Sequence, residues 1–255
     1  MTGAQAPKRA PVPLEDLVAR LTATSETRGF SLRARLETTP VESGRGAVLQ
    51  VRALGRQDDA TVRVLYQVLW PSGQKGRAIF IEAQRRGTVT GFVFDPPDRV
   101  TPLEDTDREA AVFDTALRVA DLIDDFHRWP DPADAGTGTA AGQPCRIIDF
   151  RRSRSGGSGL GPSRVTACVS EAKALPMLVE KYRPGDRLAT RVTVEKTIKR
   201  DRWAPARFLV EDVERGRSTR VDVTRAEIDL VVSLAEFSLL KIRDFGRDVT
   251  KGPEP

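Results

Sequence analysis

Apolar residues recur along this chain with two periods, and the shorter one dominates. PLEDLVARLTA (13–23) sets Leu14, Leu17, Val18 and Leu21 at helical spacing, with Glu15 and Asp16 in the first turn, where the helix dipole favours acids. From there the alternation has period two. SLRARLE (31–37) puts Leu32, Ala34 and Leu36 on one face, and AVLQVRAL (47–54), TVRVLYQVLW (61–70), RAIFIEA (77–83) and TVTGFVFD (88–95) continue it. The connections ESGRG, GRQDD, PSGQKG, QRRG and DPPD carry turn residues. The second half repeats the style in PCRIIDF (144–150), RVTACVS (164–170), ALPMLVEKY, RLATRVTVEKTI, ARFLVEDVE and STRVDVT, with residues 206–223 pairing through ERGRS as a hairpin. Strands this closely spaced, with no helix between them, predict an antiparallel sandwich or barrel and disfavour βαβ units.

Three stretches depart from the alternation. In ALRVADLIDDFHRW (116–129), Leu117, Val119, Leu122, Ile123, Phe126 and Trp129 recur in steps of three and four, while Arg118, Asp121, Asp125 and Arg128 fall opposite. That spacing predicts an amphipathic helix laid on a sheet, either as a lid over an open face or as a plug in a packed core. DPADAGTGTAAGQP (131–144) reads as a loop, and the tail AEIDLVVSLAEFSLLKIRDFG fits strand or short helix. Similar strands flank the loop, so the expected organisation is one domain over 14–245, with a disordered leader (1–13) and a flexible tail (246–255).

The 255 residues hold a net charge of +5, which raises nucleic acid as a partner. Only eight of the 41 basic residues are Lys, however, and the Arg residues are scattered among acids in a chain without Asn. That pattern fits coding bias rather than a binding stripe, so no nucleic-acid partner is expected. RRSRSGGSG (151–159) reads as a solvated hairpin tip before it reads as a basic patch. No run approaches the roughly 18 apolar residues of a membrane span. The first residues contain no apolar signal-peptide core.

Candidate chemistry is sparse. His127, the single histidine, has no Ser or Cys partner in a recognisable setting and reads as a helix-end residue near the C-terminal dipole. GTGTAA (136–141) matches G-x-G-x-x-A but is neither preceded by a strand nor followed by a helix. DPADAG lacks the downstream Glu of a calcium loop. Two cysteines and one distant histidine do not make a zinc site. No catalytic residue, metal ligand or cofactor is therefore assigned. Cys145 and Cys168 lie symmetrically about Gly156-Gly157, so a hairpin turning there sets them directly opposite, within disulfide reach. Reduced, half-buried thiols are the alternative for a chain that stays in the cytosol.

The order LWPSGQKGRAIFIE, GFVFDPP, FDTALRVADLIDDFHRW, a Gly-rich loop and PCRIIDF resembles the outer-membrane lipoprotein-sorting (LolA-like) superfamily, in particular its uncharacterised exported bacterial branch. Trp70, Pro71, Gly76, Arg77, Phe113, Asp114, Thr115, Asp121, Leu122 and Trp129 carry the resemblance, with Trp203 and Pro205 in KTIKRDRWAPARFLVEDVERGRSTRVDV. It spans about residues 14 to 225 and implies a mainly β fold. The expected architecture is a single antiparallel, half-open β-barrel around a hydrophobic cavity, with a few short helices acting as a lid. It further implies a non-enzymatic periplasmic carrier of acyl chains or lipoproteins, its signal peptide removed, with a possible inner- or outer-membrane partner protein. The cavity lining expected on this basis is Trp70, Phe80, Phe92, Phe94, Leu117, Leu122, Phe126 and Trp129. An envelope signalling or scaffold protein docking a protein in the same concavity is the alternative, and a nucleic-acid-binding barrel the less favoured one.

Overall fold

The structure, a computed structural model, describes residues 12–40, 46–84, 88–152 and 161–248. Helix α1 (Leu14–Ser25) forms where the apolar stripe predicts, with Leu17 and Leu21 buried and Glu15 and Asp16 in its first turn. Among the described residues, thirteen strands follow. They are β1 (Gly29–Pro40), β2 (Ala47–Gln57), β3 (Thr61–Trp70), β4 (Ala78–Gln84), β5 (Val89–Asp95), β6 (Arg99–Leu103), β7 (Ala133–Ala140), β8 (Gln143–Arg151), β9 (Arg164–Ser170), β10 (Leu175–Arg183), β11 (Arg187–Lys199), β12 (Trp203–Asp212) and β13 (Arg217–Ile228). Helix α2 (Leu239–Asp248) ends the described chain.

All thirteen strands form one antiparallel sheet in the order β6-β5-β4-β3-β2-β1-β13-β12-β11-β10-β9-β8-β7. Two meanders are joined at their centre by the long β1–β13 pair, which runs from Phe30↔Ile228 to Pro40↔Arg217. The sheet does not close, so β6 and β7 remain as edges. The chain between those edges, residues 104–132, crosses from one to the other and covers one face of the sheet. We call this face concave and the segment the lid. The half-open, mainly β architecture with short helical pieces is as the alternation and the resemblance predict.

Alternation along each strand distributes the core over both faces. On the concave face, Ala34, Leu36, Leu49, Val51, Val68, Ile79, Ile81 and Val221 pack against Val112, Phe113 and Val119 of the lid. Further along, Ile148, Phe150, Val165, Ala167, Val169 and Val179 pack against Leu17 and Leu21 of α1 and Phe126 of the lid. On the outer face, Leu65, Ala78 and Phe94, with Phe80 and Phe92, lie beneath Val232, Phe237 and Ile242 of the C-terminal segment. Gly91 is required where β4 and β5 approach, because a Cβ there would stand 2.0 Å from the Phe80 carbonyl oxygen.

Three local expectations are corrected. Residues 116–129 are not one helix but two short 3-10 turns, Val119–Ile123 and Phe126–Arg128, separated by extended backbone at Asp124. The step of three and four residues is met by irregular chain crossing from one core cluster to another, so a regular helix is not needed. Residues 131–144 are not a loop: they hold β7 and its turn into β8. As an edge strand without a buried face, β7 shows no apolar alternation to read. The β8–β9 register is slipped by two residues from the expected one, with Ile147 rather than Cys145 opposite Cys168. A slip of two preserves the face of every side chain, and Cys145 and Cys168 still form a disulfide with Cα atoms 5.3 Å apart. The expected turn at Gly156-Gly157 lies outside the described residues.

Candidate functional site: the lid over the concave face

The underside of the lid is apolar at both ends and ionic at its middle. Near the first edge, Phe113 and Leu117 meet the β1–β6 core, and Arg77 stacks on the Phe113 ring at 5.6 Å. The turn at Phe113-Asp114 has φ of 50° and 59°, and it is pinned by Arg217, which donates to the Asp114 carbonyl at 2.7 Å. The Ala116 N–H donates 2.8 Å to Thr219 Oγ1, which itself shares a buried hydrogen bond with Thr38. Near the second edge, Phe126 packs edge-on to Phe150 at 5.2 Å and joins the α1 cluster, with Trp129 beside it.

Between these ends sits Arg118, its side chain only 4% exposed. It forks onto Asp212 at the end of β12, donating from Nη2 (2.6 Å) and Nε (3.2 Å). It also donates to Glu109 at 2.7 Å and Glu214 at 3.0 Å. Arg183 of β10 pairs with the same two glutamates, Arg187 with Glu214, and Arg215 with Asp212. Burial alone would lower the Arg118 pKa and raise those of Asp212 and Glu214. The mutual hydrogen bonds and charges override it, so Arg118 is raised and both carboxyls are held below their ordinary range. This cluster ties the lid to the β12–β13 turn.

A second tie lies one turn on. Lys181 of β10 is buried and reaches Asp121 and Asp124 of the lid, both at 2.6 Å. Burial works against its charge, but the two carboxylates raise its pKa above the ordinary lysine value. Burial and the neighbouring Asp124 push the Asp125 carboxyl up, against a hydrogen bond from Trp129. On the apolar side, burial pushes the Tyr66 phenol up to about 12.

The lid is closed in this structure. The space between it and β10–β11 is a cavity of about 70 Å³ of mixed character, bordered by Arg118, Asp121, Lys181 and Arg183 on its charged side and by Ile123, Trp129 and Ala189 on its apolar side. A drug-sized ligand requires about 300–1,000 Å³. A cleft of about 300 Å³ opens at the other end of the sheet, lined by Glu26, Thr27, Arg28, Gln57, Asp58, Asp59 and Asp229, and is polar throughout.

The structure does not gather the eight expected lining residues into one place. Leu117 and Leu122 pack on the β1–β6 concave core, and Phe126 and Trp129 on the α1 cluster. Phe80, Phe92 and Phe94 belong to the outer face under the C-terminal segment. Trp70 ends β3 and is half exposed. His127 lies edge-on to Phe126, 5.9 Å between ring centres. Arg118 and Asp121, placed by spacing on a solvent face, are instead buried ties; the acids of VEDVERGR at the β12–β13 turn were the one sequence signal for an arginine partner. Among the described residues there is no cluster of three His, Cys, Asp or Glu set to hold a metal ion. Nor is any described helix long and apolar enough to cross a membrane.

An unclosed antiparallel sheet whose concave face is covered by its own edge-to-edge crossover defines the class: a half-barrel with a lid. A family model described as that of an uncharacterized protein matches residues 61–243, and the chain belongs to that family. Solved structures share the fold across nearly their whole lengths. A DUF1329 family protein from Desulfovibrio piger is 17% identical with a TM-score of 0.79, covering 89% of this chain and 96% of its own. A putative outer membrane lipoprotein-sorting protein domain from Vibrio parahaemolyticus is 14% identical with a TM-score of 0.76, covering 89% and 97%. A LolA superfamily protein from Nitrosomonas europaea is 14% identical with a TM-score of 0.69, covering 91% and 100%. The LolA-like resemblance of the sequence thus holds in the fold. No curated protein matches the chain.

Proposed function

We propose that this protein is a non-enzymatic, periplasmic binder and carrier of an acyl-bearing hydrophobic ligand, lipid or lipoprotein. The ligand lies between the concave face and the lid. The observation that carries this reading is the construction of the lid. Its apolar underside, Val112, Phe113, Leu117, Val119, Leu122 and Ile123, rests on a continuous apolar sheet face. It is held there by a few discrete polar ties around Arg118 and Lys181. Releasing those ties uncovers apolar surface in one step. An entering acyl chain gains about 0.8 kcal/mol for each methylene removed from water, offsetting the contacts the lid gives up. The Cys145–Cys168 disulfide favours an oxidising compartment such as the periplasm.

The test is native mass spectrometry of mildly purified protein, followed by organic extraction. A bound acyl species at one per chain is the expected result. A bare chain that also fails to take up fatty acyl lipid on incubation overturns the reading, and a copurifying peptide in place of lipid replaces it with protein docking.

A further inference from the structure

The cavity beneath the lid has two walls of opposite charge. Every acid that borders it, Glu109, Asp121, Asp124 and Asp125, belongs to the lid. The body of the protein contributes Arg152, Lys181 and Arg183 to the same cavity, with uncharged neighbours such as Ala189 and Thr190, and no carboxylate. Lys181 stands where β10 otherwise reserves its buried face for apolar side chains, in the row Leu175, Met177, Val179, Lys181. It pairs across the sheet with Val165 of β9 and Thr190 of β11. Among the described residues its salt bridges are to Asp121 and Asp124, both from the lid. Arg183 differs, because Glu214 of the β12–β13 turn also holds it.

A lid that lifts for a ligand therefore carries both carboxylates away from Lys181. An ammonium left buried without its partner is strongly unfavourable, and a neutral apolar ligand would have to bind against that cost. A ligand with its own anionic head restores the pair through charge-assisted hydrogen bonds. The space for such a head is already there. One water needs about 10–15 Å³, so the cavity of about 70 Å³ can hold a carboxylate or phosphate group, but not an acyl chain.

We propose that the ligand is an anionic amphiphile and that Lys181 is the residue that selects it. The carboxylate or phosphate head takes the place of the Asp121 and Asp124 carboxylates, and the apolar chain takes the place of the lid's underside. This inference rests on the carrier reading and adds the head group that the reading leaves open. The lid acids then act as an internal stand-in for the ligand's head, which competes with them for Lys181 as it enters.

The experiment is calorimetric titration of the full chain with laurate, dodecyl phosphate and dodecanol, which share one apolar chain, and with inorganic phosphate, which has none. Both anionic amphiphiles are expected to bind at least about tenfold more tightly than dodecanol, which strands the ammonium. Inorganic phosphate should bind far more weakly than dodecyl phosphate. Lys181→Met should abolish most of the preference for the anions. Asp121→Asn/Asp124→Asn, which frees Lys181 without removing it, should tighten both anions severalfold. The wild-type comparison and this Asn variant decide the matter should Lys181→Met fail to fold. A preference that survives Lys181→Met, or anions that bind the Asn variant no better, overturns the proposal. Inorganic phosphate binding as tightly as dodecyl phosphate overturns it in favour of a free-anion site. Dodecanol binding as tightly as the anions overturns it and leaves the carrier reading standing, whereas no binding by any of the three amphiphiles overturns both.

Discussion

Replacing Arg118 with Met keeps the length and apolar stem of the side chain but removes the charge that ties the lid to the β12–β13 turn. Arg118 and Asp212 are both almost fully buried, with side-chain exposures of 4% and 1%. Removing one partner of such a pair leaves the other as an uncompensated buried charge, at a cost of about 3–5 kcal/mol. Glu109 and Glu214 retain Arg183, and Asp212 retains the half-exposed Arg215, so the low end of that range applies. At 1.4 kcal/mol per tenfold, about 3 kcal/mol raises the population of the open lid by about a hundredfold. Hydrogen exchange should report it as faster exchange across 112–129, while the amides of β2 and β3 stay protected. Binding of an apolar fluorescent dye should rise in parallel. The double substitution Arg118→Met/Asp212→Leu removes the stranded carboxylate and should recover most of the lost protection. Unchanged exchange in the lid of Arg118→Met, or a double variant as open as the sum of its singles, would refute the view that this ion cluster holds the lid.

Further outcomes follow from the same ties. Asp212 and Glu214 are held below their ordinary range in the folded chain, so their contribution is present above the unfolded carboxyl pKa and lost as pH falls through the lowered values. Thermal midpoints should therefore drop from about pH 5 downward, with a shallower drop for Arg118→Met; parallel curves would contradict the assignment. Asp125, raised by burial and Asp124, acts in the opposite sense and softens the acid limb. Replacing Cys145 and Cys168 together with Ala should cost about 3 kcal/mol in denaturant unfolding, from the loop of chain they close, and an unchanged midpoint would deny the disulfide a structural role. Phe126→Ser removes a buried ring at a cost of about 3–5 kcal/mol. Together with Leu122→Ser it should impair ligand retention more than His127→Ala; the reverse order would mean that the histidine, and not the apolar stripe, makes the site.

The strands were legible because each alternates against a core, and β3, β4 and β9 fall close to where period two places them. What alternation cannot tell is which face is which. Phe80, Phe92 and Phe94 share a period with cavity-lining positions yet face outward, since nothing local distinguishes the two sides of a sheet that is covered on both. The lid was legible as an apolar stripe but not as a pair of 3-10 turns. Arg118 was misplaced because its partners, Glu109, Asp212 and Glu214, include two about a hundred residues away. Lys181 and Asp121 show the same limit: a lysine inside a strand pattern and an aspartate on a polar stripe become a buried pair only once the lid crosses β10.

The most direct test of the account is contact between an acyl chain and the underside of the lid. A variant with Trp70→Phe and Trp203→Phe leaves Trp129, at the lid's second end, as the only indole fluorophore. Titration with a fatty acid brominated along its chain should quench that fluorescence saturably, at one ligand per chain, and the quench should weaken when Leu122 and Phe126 are replaced by Ser. Absence of quenching, or a quench that never saturates and ignores those substitutions, would contradict an acyl chain beneath the lid.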